Sequence, residues 1–185
     1  MVKKASRSYS YAIDLSGTGL RLSPRLSTCL PEDDADGTGI MSSIAFSTDY
    51  SGTYAAGSFS GSVAIYSEDT AATAVSHLEG VHRGGVTHLA FHPLSPQTLF
   101  VGSRRSSSIQ VYDLRDTSAP VGELPRRSET NQRLSFDVDP WGRWLASGDA
   151  DGMVKVWDIT DLNKPPVLEE MLHNGEISGI VIRMS

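Results

Sequence analysis

The chain has 185 residues, a formal net charge of −6 and one cysteine, Cys29. This length allows a domain with a substantial core, and a single cysteine excludes an internal disulfide framework and favours a reducing compartment. The acidic balance gives no overall basic field of the kind that nucleic-acid binders carry. Since the basic N-terminus lacks the apolar run of a signal peptide and no stretch is apolar enough for a membrane helix, we expect an intracellular soluble protein without a membrane partner.

Residues 1–39 do not share the periodicity of the later sequence. Short strands are predicted at residues 9–15 and 20–22, and the acidic run 32–37 is predicted to be an exposed loop. That run has the carboxylate spacing that begins a calcium-binding loop. No glutamate follows at the position that completes such a loop, so we assign no metal site there.

From Ile40 onward the sequence repeats every 45 or 46 residues. Each repeat predicts a first strand ending in phenylalanine, a second containing glycine, a third ending in an aromatic residue, and a short fourth strand at residues 74–78, 120–124 or 166–172. A new first strand is predicted at 177–180. Four short strands form one antiparallel sheet, and copies of such a sheet stack around an axis. The landmarks are Phe46, Phe91 and Phe136; Gly57, Gly102 and Gly148; and Tyr66, Tyr112 and Trp157.

These repeats resemble the WD-repeat family of β-propellers, and the third repeat, with Asp151-Gly152 and Trp157-Asp158, is the most complete. The resemblance implies an all-β propeller. Residues 40–173 are predicted to form three complete four-stranded blades, 174–185 the truncated start of a further blade, and 1–39 an irregular segment or degenerate blade. Rings of this family usually close with about seven blades. We therefore expect a fragment of a longer propeller, or alternatively a chain that closes its ring by self-association.

In this family a histidine, a serine or threonine, a turn aspartate and a tryptophan form a hydrogen-bonded chain that is structural rather than catalytic. The set is incomplete here, because Ser106 replaces the turn aspartate of the second repeat and the segment 130–133 of the third offers no histidine. We therefore expect blades of modest stability that rely on packing. The matching residues are His82, Tyr112, Asp113, Asp151, Trp157, Asp158 and His173.

No arrangement of side chains predicts an enzyme. The sequence has no nucleophile-elbow context and no glycine-rich loop followed by Lys-Ser/Thr. His77, His82, His88 and His92 are close in sequence, but positions in a propeller account for them and no cysteine supports a metal site. We therefore predict no catalytic residue, no metal and no cofactor.

The loops of a propeller divide between two faces, and the charges divide with them. Guanidinium groups bind phosphate bidentately and stack on bases, so an arginine-rich face favours RNA; ordinary solvated charge and an acidic protein partner are the alternatives. The face with the second-to-third-strand turns and the connections between blades receives Arg83, Arg104, Arg105, Arg126, Arg127 and Arg133, against Glu129, Asp149 and Asp151. The other face receives Asp49, Glu68, Asp69, Asp113, Asp116, Asp137, Asp139, Asp158 and Asp161, against Arg115, Arg143 and Lys164.

Three segments, residues 39–47, 84–93 and 130–140, resemble the telomerase Cajal body protein family of WD-repeat proteins. In that family too, a Thr-Asn-Gln-Arg run replaces the expected Gly-His. The resemblance implies a non-enzymatic nuclear scaffold that binds small Cajal-body RNAs and telomerase RNA, directs their ribonucleoproteins to nuclear bodies, and has no DNA partner. A generic WD-repeat scaffold for proteins is the alternative.

The same resemblance makes Asn131, Gln132 and Arg133 the first candidates for RNA contact, with Arg104 and Arg105 as a second group. Asparagine and glutamine can pair with base edges, while arginine can bind phosphate or stack. Alternatively, Asn131 and Gln132 replace the missing histidine by bonding the backbone of a turn.

Overall fold

The computed structural model describes residues 9–14, 21–27, 40–70, 74–82 and 84–183, the first two segments as strands alone. Cys29, Arg83 and the acidic run 32–37 lie outside these residues. In the described part of the chain the elements are strands, apart from one 3-10 turn at Glu68–Thr70. The strands are β1 (Tyr9–Asp14), β2 (Arg21–Ser27), β3 (Met41–Phe46), β4 (Thr53–Ser58), β5 (Val63–Ser67), β6 (Ala74–Leu78), β7 (Val86–Phe91), β8 (Thr98–Ser103), β9 (Ser106–Asp113), β10 (Gly122–Ser128), β11 (Phe136–Val138), β12 (Trp144–Gly148), β13 (Met153–Asp158) and β14 (Leu168–Met171).

The strands β3 to β14 form three four-stranded antiparallel sheets, each with its strands side by side in chain order. We call β3–β6 blade 1, β7–β10 blade 2 and β11–β14 blade 3. A separate antiparallel pair joins β1 to β2. The predicted all-β class and propeller architecture are therefore confirmed, with the innermost strands β3, β7 and β11 lying beside one another in turn.

The second strand of blade 2 is buried on both sides because this blade stacks against blade 1 on one face and blade 3 on the other. In β8, Leu99, Phe100 and Val101 are each no more than 1% exposed, so the strand reads as a continuous apolar run. One cluster of buried side chains joins blades 1 and 2, and another joins blades 2 and 3. The core of the molecule therefore lies between the blades.

The glycine that repeats in each second strand marks the closest approach of neighbouring blades. A Cβ at Gly57 would come within 2.6 Å of the Val86 side chain, and one at Gly102 within 3.1 Å of the Phe136 ring. A Cβ at Gly148 would lie 2.4 Å from Ile177. Real Cβ atoms essentially never come as close as the contacts at Gly57 and Gly148, and the contact at Gly102 is tight, so glycine is favoured wherever the first strand of the next blade crosses a second strand.

The predicted strand at residues 177–180 is not formed, yet its residues occupy the place of a further first strand. Ile177 covers Gly148 as Val86 covers Gly57. The backbone nitrogen of Ile177 donates to Asp149 O at 3.0 Å, and that of Ser135 donates to Ser178 O at 2.9 Å. The segment therefore lies along blade 3 where the first strand of a further blade would lie. In the described part of the chain no second strand pairs with it.

The three described blades form an open arc. On the free side of blade 1, Ile44 and Phe46 are 39% and 55% exposed, and every residue of β14 in blade 3 is exposed. Within the described residues there is no helix with the length and apolar character needed to cross a lipid bilayer.

Candidate nucleic-acid interface

Backbone hydrogen bonds assign the loops to two faces. The second-to-third-strand turn of each blade bonds the chain that precedes that blade: Phe59 N to Ile40 O, Arg104 N to Gly85 O, and Ala150 N to Arg127 O near the end of β10, each at 2.9 Å. These loops form what we call the upper face. The lower face carries the first-to-second and third-to-fourth-strand turns, which are joined in blade 2 by the Leu114 N to Gln97 O bond at 2.7 Å.

On the upper face, a direct side-chain bond joins the turn of blade 2 to the connection that enters blade 3. The Nε of Arg105 donates to Oδ1 of Asn131 at 3.1 Å, and both residues are exposed. Arg105 has a φ of 50°, in the left-handed region that residues other than glycine rarely adopt. The equivalent turns of blades 1 and 3 use Gly61 and Gly152 at φ values of 96° and 84°. In the turn of blade 2 an arginine therefore adopts the left-handed conformation that a glycine adopts in the turns of the other two blades.

Gln132 and Arg133 are exposed and belong to the connection rather than to a strand, because β11 begins only at Phe136. The sequence predicts that the first strand of this repeat ends at Phe136, whereas β11 begins there, so that prediction is wrong. The Gln132 backbone nitrogen donates to Oγ1 of Thr130 at 3.1 Å, which tightens the loop. In the described part of the chain, neither the Gln132 nor the Arg133 side chain has a hydrogen-bond partner, so both are available to a ligand.

Arg104 lies beside an aromatic ring that the sequence reasoning missed. Its guanidinium carbon is 4.4 Å from the ring centroid of Phe59, which is 47% exposed. This cation–π pair brings the turn of blade 1 next to that of blade 2. The position of Phe59 in the sequence could have indicated this contact, because Phe59 directly follows β4 and therefore begins an upper-face turn.

Arg126 is not part of this surface. It is 1% exposed, so the prediction that it contributes to an exposed arginine face is wrong. The reason is the alternation of β10, in which Leu124, Arg126 and Ser128 point inward while Arg127 points outward. A lone charged residue in a strand cannot be assigned to a face until its register is known.

The buried Arg126 guanidinium, on β10, bonds residues of the chain leading into blade 3 and of its second strand. Its Nη1 donates to Ser147 Oγ at 3.1 Å and to Leu134 O at 3.4 Å. Burial lowers its pKa to about 10, against the opposing effect of the Asp149 carboxylate, so the group remains charged at neutral pH. Among the described residues its Nε and Nη2 have no partner. Arg126 therefore ties the connection carrying residues 130–133 to the sheet of blade 3.

Arg127 is exposed, but carboxylates offset its charge. It contacts Asp151 at 2.8 Å and Glu129 at 3.6 Å. Arg83 lies outside the described residues. The arginines of the upper face that are exposed without a carboxylate partner in the described part of the chain are therefore Arg105 and Arg133.

His88 lies below Arg133, between blades 2 and 3. Its ring is 4.5 Å from that of Phe136, and its Nδ1 accepts a hydrogen bond from the Phe136 backbone nitrogen at 3.3 Å. Burial, and then the positive charges of Arg133 and Arg126, lower the pKa of His88. A neutral His88 is a hydrogen-bond acceptor and adds no further charge beside the two arginines.

The repeat-signature residues of blade 2 make a polar chain toward its outer edge. His82 Nε2 lies 3.2 Å from Ser108 Oγ, which donates to Glu123 at 2.8 Å. The buried Tyr112 hydroxyl donates to Glu79 O at 2.8 Å, and burial followed by the charge of Glu123 raises the pKa of Tyr112 to about 12. The phenol therefore stays protonated and remains a donor over the physiological range.

In blade 3 the aspartate that organises the turn is Asp149, not the predicted Asp151. Asp149 is 1% exposed, and its Oδ1 accepts from the backbone nitrogens of Asp151 and Met153, each at 2.9 Å. Asp151 is exposed and pairs with Arg127. Trp157 is buried, but its Nε1 has no partner in the described part of the chain. His173 is exposed and accepts from Gly175 N at 3.0 Å.

Asp113 and Asp158 follow the aromatic residue of the third strand in blades 2 and 3. Each accepts hydrogen bonds that hold a turn of the lower face. Asp113 accepts from the backbone and side chain of Arg115, which lowers the pKa of Asp113 to about 2. Asp158 accepts from Thr160 N at 3.1 Å and lies 3.5 Å from Arg143. Both carboxylates therefore have a structural role in their turns.

The four neighbouring histidines do not converge. Among described residues no group of three or more His, Cys, Asp and Glu side chains could hold a metal ion. His82 and His88 have the separate partners given above, and His92 Nε2 lies 2.9 Å from Gly142 O. His77 lies on β6, the outer strand of blade 1.

Comparison with known proteins identifies the repeat. Residues 128–158 match the family model described as WD domain, G-beta repeat. The chain is 38% identical over 152 residues to human telomerase Cajal body protein 1, which covers 80% of this chain and 27% of the relative. It is 43% identical over 122 residues to the protein of the same name from Bos taurus, covering 65% of this chain and 22% of that one. The chain thus spans about a quarter of the length of these relatives.

A chain of a crystal structure of the mitotic checkpoint complex superimposes with a TM-score of 0.64 at 24% identity, covering 85% of this chain and 43% of that one. At that identity the likeness concerns the fold alone. Together with the three stacked four-stranded sheets, the repeat match and the sequence identity show that this chain belongs to the WD-repeat β-propeller family and is similar to the telomerase Cajal body proteins.

Proposed function

We propose that this chain is a non-enzymatic nuclear scaffold that binds a single-stranded loop of a small Cajal-body RNA or telomerase RNA through its upper face. The contact surface is formed by the connection 131–133 and by the turn of Arg104 and Arg105. The names of the relatives support the choice of RNA partner and of the Cajal body as destination.

The observation that carries this proposal is the Arg105–Asn131 bond at 3.1 Å. It joins two loops from different blades into one exposed polar surface, so that residues far apart in sequence can contact one ligand. A left-handed arginine in a tight turn costs about 1 kcal/mol or more, and such strain is concentrated at functional sites.

The chemistry of this surface suits an unpaired RNA loop. Gln132 and Asn131 present amide groups that can bond the edges of bases, and Arg105 and Arg133 present guanidinium groups for phosphate. Beside them, Phe59 offers an exposed ring on which a base can stack, a contact worth about 1–3 kcal/mol per base. Since unpaired bases are splayed out only in loops and ends, we expect the surface to prefer a hairpin loop over the matching duplex.

The test compares the protein with an Arg105→Gln/Arg133→Gln variant by fluorescence anisotropy of a labelled hairpin RNA, at several salt concentrations. We expect an affinity loss of about tenfold or more. The slope of log affinity against log salt should become shallower by about 1.4, because each phosphate contact with a single strand contributes about 0.7. Gln132→Ala should weaken binding and leave the slope unchanged, since it removes a base contact and no charge.

The matched control is Arg143→Gln/Lys164→Gln. It removes two cations from the lower face whose side chains are 60% and 61% exposed. Affinity should change less than about twofold in this variant. Equal losses in the two double variants would show a nonspecific charge effect and contradict the site. A protein that fails to bind the hairpin RNA even at low salt would favour the WD-repeat scaffold for proteins instead.

A further inference from the structure

The three first-to-second-strand turns of the lower face each present one large apolar side chain to solvent. Tyr50 in blade 1 is 98% exposed, Leu94 in blade 2 is 68% exposed and Trp141 in blade 3 is 61% exposed. Scattered single apolar residues on a surface are ordinary. These three lie in the same kind of turn, one in each blade, between the end of the first strand and the start of the second.

Hydrogen bonds link the three turns into one arc. Thr48 Oγ1 donates to His92 O at 3.2 Å, and His92 Nε2 bonds Gly142 O at 2.9 Å. Tyr50 and Leu94 each follow one of these bridging residues by two positions, and Trp141 precedes Gly142 directly. The apolar tips are therefore neighbours along a connected edge that runs through all three blades.

Hydrogen bonds within each turn hold the backbone at or beside the tip. Asp49 Oδ1 accepts from Ser51 N at 3.0 Å, and Tyr50 between them has a φ of 58°. His92 Nδ1 accepts from Leu94 N at 3.1 Å, and Asp139 Oδ2 accepts from Trp141 N at 3.2 Å. A turn whose backbone is already ordered loses little further entropy on binding, and large apolar side chains presented by such turns can act as anchors for a ligand.

The charge around this arc is negative. The three cations assigned to the lower face each pair with an aspartate of that face: Arg115 with Asp113, Arg143 with Asp158 and Lys164 with Asp161. Asp49, Asp69 and Asp116 are exposed and have no ion pair within the described residues. Hydrogen bonds from Ser51 and Ser47 lower the pKa of Asp49, and those from Ser118 lower the pKa of Asp116. The apolar arc therefore has a ring of ionised carboxylates in excess over cations.

We propose that the lower face is a docking surface for a basic amphipathic segment of another protein, in which lysine or arginine residues flank apolar side chains. The apolar side chains of that segment cover Tyr50, Leu94 and Trp141, and its cations pair with Asp49, Asp69 and Asp116. The negative field repels RNA and anionic lipid, so the occupant is a protein segment. This inference does not rest on RNA binding, which uses the opposite face.

The test is selection from a random peptide library displayed on phage, against this protein and a Tyr50→Ser/Leu94→Ser/Trp141→Ser variant. We expect the peptides selected by the unaltered protein to combine lysine or arginine with apolar residues. A synthetic copy of a selected peptide should bind the triple variant about tenfold more weakly or worse. An Asp49→Asn/Asp116→Asn variant should bind it several-fold more weakly, with reduced salt dependence.

The matched control is Met171→Ser/Leu172→Ser. These side chains are each 61% exposed, and Leu172 bonds the upper-face turn of blade 3 through Gly152 O. Binding by the control should stay within about twofold. Selected peptides that are acidic or uncharged, equal enrichment on the triple variant, or no enrichment above background would each overturn the proposal. Displacement of the peptide by hairpin RNA would also overturn it, whereas loss of RNA binding alone would leave it intact.

Discussion

Blades 2 and 3 have the same four strands in the same order but support them with different polar side chains. In blade 2 Nε2 of His82 lies 3.2 Å from Oγ of Ser108 near the outer edge. In blade 3 the corresponding bonds come from the charged Arg126, which lies on β10 of blade 2. Arg126 bonds Ser147 and Leu134 in the buried space between the two blades. The shared landmarks therefore determine the blade, while the polar group that ties a blade to its entering connection can be exchanged.

The turns of the two blades differ in the same way. Blade 3 has Gly152 at a φ of 84° and buries Asp149 to hold the loop, whereas blade 2 has Arg105 at a φ of 50° and bonds a neighbouring loop. The turn of blade 3 is stabilised by hydrogen bonds to its own aspartate, Asp149. The turn of blade 2 has a strained backbone at Arg105 and exposes the guanidinium group of that residue. For this reason we place the candidate RNA contact on blade 2 and on the connection beside it.

The largest effect should come from Gly152→Ala. A Cβ at this position would lie 1.8 Å from His173 O, and alanine at this positive φ is strained as well. We expect a loss of about 3 kcal/mol in the free energy of unfolding, measured by denaturant titration. Gly175→Ala is the control, because its Cβ would meet only ordinary contacts at 3.4 Å or more. Equal stability of the two variants would show that the turn of blade 3 relaxes freely.

Removal of Arg126 should be nearly as damaging. Arg126→Ala leaves a cavity between blades and deprives Ser147 and Leu134 of their donor, so we expect a loss of about 2–4 kcal/mol. Arg126→Met retains the volume and removes the two unpartnered nitrogens, and should cost about 1 kcal/mol or less.

The counterpart in blade 2 is His82→Ala, for which we expect about 1 kcal/mol because His82 is only half buried. Thermal and denaturant unfolding of the three variants provides the measurement. If His82→Ala proved as costly as Arg126→Ala, the two blades would not differ as the structure indicates.

The smallest effect, and one of opposite sign, is expected for Arg105→Gly. Glycine adopts the left-handed conformation without strain, so this variant should be more stable by about 0.5–1 kcal/mol while its hairpin RNA affinity falls. Arg105→Ala keeps the strained backbone and removes the same cation. Comparing the two variants therefore separates the effect of strain on stability from the effect of the lost charge on RNA affinity. A drop in stability on Arg105→Gly would mean that the bond to Asn131 outweighs the strain.

Much of the fold could be read from the sequence because a propeller blade is a local structure. The period of 45 or 46 residues located most of the strands of blades 1 to 3 to within a few residues, and β6 was predicted at its observed bounds. Prediction was poorest at β11, which begins at Phe136, the residue at which the strand was expected to end. There the polar run Asn131 to Arg133 forms a loop held by Arg126 instead of extending the strand.

The repeat also determined which glycines are required, and the division of loops between two faces followed from strand order alone. Tertiary structure decided which charged side chains reach those faces. Arg126 and Asp149 are buried although the nearby Arg127 and Asp151 are exposed, because strand register and turn geometry set the direction of each side chain. Contacts between blades, such as Arg105 with Asn131 and His92 with Gly142, join residues whose separation in sequence carries no local signal. The stacking of the blades is what assembles both candidate surfaces.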